Sequence, residues 1–194
     1  AAATSQSNNT ASFNDASAPT IASTSINTAN TELTVTFSES VYDTTGGTGD
    51  LEVADFALSI AGGVATLGSA TPTSITKTSQ TVWVLGFSTS GTANGSETIT
   101  VAPASSTSIY DAAANAAATS QSNNTVTLGE RVVPAVTLTG PTDIVTDAFT
   151  VTATFSEAVT GFALNDITVA NGTKSALVTS NAPVYTFTVT PTLG

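Results

Sequence analysis

The string AAATSQSNNT occurs twice in this chain, beginning at Ala1 and again at Ala116, 115 residues later. The correspondence continues past the identity. Ala11, Ser12 and Phe13 answer Val126, Thr127 and Leu128, Asp15 answers Glu130, and Pro19 answers Pro134, all at the same offset. Beyond Pro134 the likeness loosens. LTVTFSESV from Leu33 answers FTVTATFSEAV from Phe149, LEVADFALSIAGG from Leu51 answers FALNDITVANG from Phe162, and VWVLGF from Val82 answers VYTFTV from Val184. A period of this size means that one folding unit is used more than once, in tandem. It predicts three pieces: residues 1–17 as the last strand and linker of a preceding unit, 18–131 as a complete domain, and 132–194 as a following domain without its last two strands. The chain is then expected to be an internal piece of something longer.

The matched segments alternate with period two. Leu33, Val35 and Phe37 share one face, as do Phe149, Val151, Ala153 and Phe155, Trp83, Leu85 and Phe87, and Tyr185, Phe187 and Val189; that is a strand with one face buried. Thr and Ser make up about a third of the chain, and β-branched Thr suits a pleated, half-exposed surface. No stretch has useful helical periodicity; DAAANAAA from Asp111 is the one that would tolerate a helix. Gly62-Gly63 and Asn94-Gly95 are turn chemistry between strands. Seven strands are expected in the complete unit, near residues 20–26, 32–38, 52–60, 64–70, 81–87, 97–102 and 122–128, and five in the partial one. The fold class is all-β: tandem immunoglobulin-like sandwiches with Greek-key connections, about seven strands per complete domain.

TVTFSESV, ADFALSIAGG and IYDAAANAAATSQSNNTVTL resemble the bacterial immunoglobulin-like (Big-type) repeats of very large surface and adhesin proteins. The family pairs an F-S-E strand end with a late D-x-x-G-N loop. Here that loop reads Asp111-Ala-Ala-Ala114-Asn115, with Ala where the family often has Gly. The resemblance implies an extracellular, cell-surface setting.

Charge and residue usage exclude much else. There are 3 basic residues against 14 acidic, for a net charge of −11. Nucleic-acid binding needs a basic footprint and a membrane-surface anchor needs a polybasic patch; neither exists here. No apolar run approaches the length of a membrane-spanning helix. With no Cys and no His, the usual nucleophilic triads are excluded, and no disulfide supports the fold. GGTGD at Gly46 lacks the Lys-Ser/Thr of a phosphate loop. The reading is of a chain that is not an enzyme. Trp83 is expected in the core with Leu85 and Phe87. The N-x-S/T patterns at Asn8, Asn94, Asn123 and Asn171 are read as turn and strand composition.

Strand parity gathers alternate loops at one pole. In the complete domain the loops 39–51, 71–79 and 103–121 should meet there with the incoming linker. Asp15, Glu39, Asp43, Asp50 and Asp111, five of the 14 acids, map to that end, and Asn115 could add an amide oxygen. Glu130, Glu157 and Asp166 would repeat the arrangement in the following unit. Crowded carboxylates repel unless solvated or sharing a cation, and Ca²⁺ takes six to eight oxygens. The expectations are interdomain Ca²⁺ on these nine residues, or a solvated acidic rim.

The function expected is mechanical: a stalk segment of a giant adhesin, whose partners are neighbouring repeats of the same chain. The alternative is a self-assembling filament or surface layer in which copies touch laterally or donate strands. A carbohydrate-binding module would need exposed aromatics, which are scarce here.

Overall fold

A computed structural model describes residues 14–192. They part after Val132 into two compact units. The N-terminal copy of the repeated string lies outside the described residues, and so does most of the preceding-unit strand expected at 1–17.

The first unit is a sandwich. One sheet holds β1 (Ile21–Ile26), β2 (Glu32–Phe37), β6 (Val82–Gly86) and β5 (Ser74–Lys77) in the order β1-β2-β6-β5. Against it lies a second sheet of β3 (Phe56–Ala61), β8 (Thr98–Pro103) and β9 (Thr125–Thr127), in the order β3-β8-β9, and β4 (Thr66–Leu67) pairs with β7 (Thr89–Ser90). All pairings are antiparallel. Period-two patterning puts Leu33, Val35, Trp83, Leu85, Ile99 and Val101 between the sheets, all buried. Truncating one of these aliphatic side chains to Ala would cost about 2–5 kcal/mol, because the lost transfer energy is joined by a cavity.

The second unit has one sheet: β10 (Val136–Thr139), β11 (Phe149–Phe155), β13 (Val184–Pro191) and β12 (Gly172–Asn181), ordered β10-β11-β13-β12. That is the β1-β2-β6-β5 order again. The equivalence reaches single bonds. In the first unit the Thr20 amide donates to Ser38 Oγ at 3.0 Å and the Ser38 amide to the Thr20 carbonyl at 2.8 Å. In the second the Ala135 amide donates to Ser156 Oγ at 2.9 Å and the Ser156 amide to the Ala135 carbonyl at 2.8 Å. The serine of each F-S-E strand end therefore clips the start of the unit's first strand. Tyr185, Phe155 and Phe162 pack edge to face, with ring centroids 5.1–5.6 Å apart.

Three features differ from the sequence reading. Residues 71–79, expected as loop, contain β5, because TPTSITKTSQ offers one apolar residue, Ile75, and no alternation to read. The strand expected at 52–60 opens with a 3-10 turn at Val53–Asp55, closed by the Glu52 amide on Asp55 Oδ2 at 2.7 Å. In the second unit the counterpart, Leu164–Asp166, is closed by the Ala163 amide on Asp166 Oδ2 at 2.9 Å. After it residues 167–171 form no strand, so the described part of that unit has four strands rather than five.

Candidate functional site

Three of the expected acids meet where the linker enters the first unit. One carboxylate oxygen each from Asp15, Glu39 and Asp111 lies within 4.8 Å of the others. Glu39 is placed by the clipped end of β2. Asp111 follows Tyr110, whose amide and carbonyl exchange two 2.8 Å bonds with those of Tyr42; this bridge draws the 39–51 and 103–121 loops together. Asp15 is tied by its carbonyl, which accepts from Asn115 Nδ2 at 3.2 Å.

Asp111 is buried, and its carboxylate is already engaged. Oδ1 accepts from the amides of Ala113 at 2.9 Å and Asn115 at 2.7 Å, and Oδ2 accepts from Asn115 Nδ2 at 2.7 Å. These bonds wind the D-A-A-A-N loop on itself, and Ala114 sits in the left-handed region at φ 71°. The loop thus keeps the backbone turn that glycine would favour. Asn115 gives its amide hydrogens to Asp111 Oδ2 and to the Asp15 carbonyl.

The electrostatics fit crowding. Partial burial pushes the Glu39 carboxyl above its ordinary value, and the charges of Asp15 and Asp111 raise it further. A divalent cation would relieve that repulsion, and carboxylates are hard oxygen donors of the kind such cations take.

The other expected residues are placed elsewhere. Asp50 forms an ion pair with Lys77. Asp43 packs against Gly49, whose φ is 83°; a Cβ there would lie 1.7 Å from Asp43 Oδ1, so only glycine fits. Asp166 closes its 3-10 turn. Glu130 lies beside Gly95 of the first unit, while Glu157 belongs to the second unit.

One acid escaped the sequence reading altogether. Glu97 is fully buried. Its Oε1 accepts from the amides of Val64 at 2.8 Å and Ala65 at 3.0 Å, and Oε2 accepts from Asn94 at 3.0 Å. These bonds, that of Ala65 first, hold its pKa down to about 2. Gly63 makes room for it at φ 56°, since a Cβ there would sit 2.1 Å from Oε1. The signal was present: Glu97, Ile99 and Val101 share a face in period two, so the pattern itself puts Glu97 inside.

No curated protein and no solved structure matches the chain. Residues 130–194, about a third of the chain, match the family of the bacterial Ig-like domain, the family whose F-S-E strand ends and late aspartate loop this sequence resembles.

Proposed function

We propose that this chain is a non-catalytic spacer, a segment of the stalk of a large extracellular bacterial surface protein that holds an adhesive module away from the cell. The observation that carries the reading is the reuse of one four-stranded sheet, with the same order and the same serine clip, twice along the chain. Serial domains with their own cores suit a load-bearing thread, because each can open and refold without its neighbours. No described helix is long and apolar enough to cross a membrane. As part of the same reading, Asp15, Glu39 and Asp111 bind Ca²⁺ and stiffen the linker where it enters the first unit. Single-molecule stretching tests the spacer. A stalk gives serial unfolding peaks with a contour increment of about 110 residues at up to roughly 3.6 Å each, and native protein imaged by electron microscopy shows single beaded threads. A packed lattice in those images would end the stalk reading.

A second reading is a filament or surface layer in which copies touch. The exposed apolar residues of the second unit favour it: Val136, Leu138, Ile144 and Val178 all lie open to solvent.

A further inference from the structure

The chain contains two Asn-Gly pairs, Asn94-Gly95 and Asn171-Gly172. A pair of this kind is able to modify itself. The glycine nitrogen attacks the carbonyl carbon of the asparagine side chain, and no Cβ on the glycine stands in the way. The two pairs sit in different settings. Gly172 opens β12 and pairs with Pro191. A Cβ there would lie 2.8 Å from the Thr190 carbonyl oxygen, and the Asn171 carbonyl accepts from the Thr192 amide at 2.9 Å. Closing a ring on the Gly172 nitrogen would have to pull this strand end out of its sheet.

Asn94 is exposed in the turn before β8, and Gly95 lies outside every strand at φ 82°. The Asn94 Oδ1 accepts from the Ser96 amide at 3.0 Å, the turn an asparagine makes with the backbone two residues on. The ring closed by that bond contains both Asn94 Cγ and the Gly95 nitrogen, so electrophile and nucleophile are held on one small loop. The Ser96 N–H also stands where an oxyanion on Oδ1 needs a donor, at a distance that suits one. Among the described residues none accepts a hydrogen bond from the Gly95 amide, so no bond has to break before its proton leaves.

We propose that Asn94 is a self-modification site, which converts to aspartate and isoaspartate through a cyclic imide with Gly95. The Gly95 nitrogen gives its proton to solvent base and bonds to Asn94 Cγ; the Cγ–Nδ2 bond breaks and ammonia leaves. Water then opens the imide at either carbonyl, leaving aspartate or isoaspartate at position 94. The consequence follows from what the turn holds. The Asn94 amide donates to Glu97 Oε2 at 3.0 Å, the Ala93 carbonyl accepts from the Arg131 amide at 2.8 Å, and Gly95 packs against Glu130. The product brings a second carboxylate into the turn that buries Glu97, and isoaspartate adds a methylene to the main chain inside it. Both changes loosen the hold on Glu130 and Arg131, and they accumulate with the age of the molecule. The modification needs no partner and does not depend on the spacer reading.

Ageing the full chain in mildly alkaline buffer, then digesting it and mapping the peptides by mass spectrometry, tests the site. The exchange of side-chain amide for carboxylate should proceed at Asn94 roughly tenfold faster than at Asn171, a fraction of what one oxyanion donor contributes in an enzyme. In concentrated urea, where neither setting persists, the two rates should converge. Ion exchange separates the aged, more acidic fraction, which should melt below the unaged chain and exchange the Arg131 amide faster. Asn94→Gln, shown to be folded by its melting transition, should form acidic species only at the slow rate of Asn171. A chain that stays unmodified at Asn94, equal rates at the two pairs in the folded chain, or a preference that survives in urea overturns the site. An aged fraction that melts with the unaged chain overturns its effect on the turn.

Discussion

At Ala114 a methyl group is held where backbone sterics disfavour it. The left-handed conformation costs an L-residue roughly 1–2 kcal/mol, and the loop accepts it because Asp111 binds the amides on either side. Ala114→Gly should therefore raise stability by about 0.5–1 kcal/mol, the relieved strain being partly offset by the extra freedom of the unfolded chain; urea denaturation measures it, and a loss of stability would contradict the geometry. Asn30 makes the contrast. It also has positive φ, 57°, but its side chain donates to the Gly129 carbonyl at 2.6 Å and accepts from the Gly129 amide at 2.9 Å. Asn30→Gly should keep the turn yet lose both bonds, and destabilise by about 1–3 kcal/mol in the same assay.

Among the elements, Glu97 is what joins turns that the sheets alone would leave loose. Its carboxylate binds the 62–65 turn to the loop before β8, through the amides of Val64, Ala65 and Asn94. Its folded pKa of about 2 lies below the ordinary carboxyl value of 4.5. The sign follows: the stabilisation is complete above the unfolded pKa and is lost as pH falls from about 4.5 through about 2. Melting temperature should drop steeply over that window, and Glu97→Gln should flatten the drop while lowering the temperature at neutral pH. A steep acid limb that persists in the glutamine variant would show that other carboxylates cause it. Gly63→Ala should lower stability at every pH, since the added carbon meets the same carboxylate.

For the whole molecule, the linker entry is where three carboxylates crowd together. Glu39 is raised by burial and by its two acidic neighbours, so its ionised form costs stability as pH rises above 4.5 through its folded pKa. Without a cation, Glu39→Gln should be neutral to stabilising at pH 7. With millimolar CaCl₂ the parent chain should melt several degrees higher than in chelator, since a ligand at about 100 times its Kd contributes about 2.7 kcal/mol. The Glu39→Gln variant should lose most of that rise. An equal calcium response in parent and variant would place any bound ion elsewhere.

Local pattern was enough for the central strands. Alternation marked Leu33-Val35-Phe37, Trp83-Leu85-Phe87 and Tyr185-Phe187-Val189 as inward faces, because side-chain direction in a strand depends on parity alone. The repeat raised the expectation of tandem units, and parity put Asp15, Glu39 and Asp111 at one end, where the structure brings their carboxylates together. What local pattern could not decide is which groups a carboxylate meets. Asp43, Asp50, Asp111 and Asp166 read alike as loop acids, yet one packs on a glycine, one pairs with Lys77, one winds its own loop and one closes a 3-10 turn. β5 was hidden because its pairing comes from β6, a neighbour across space. Burial at Ile21 is decided the same way: parity marks it as inward, and only the strands stacked over it in space make it core.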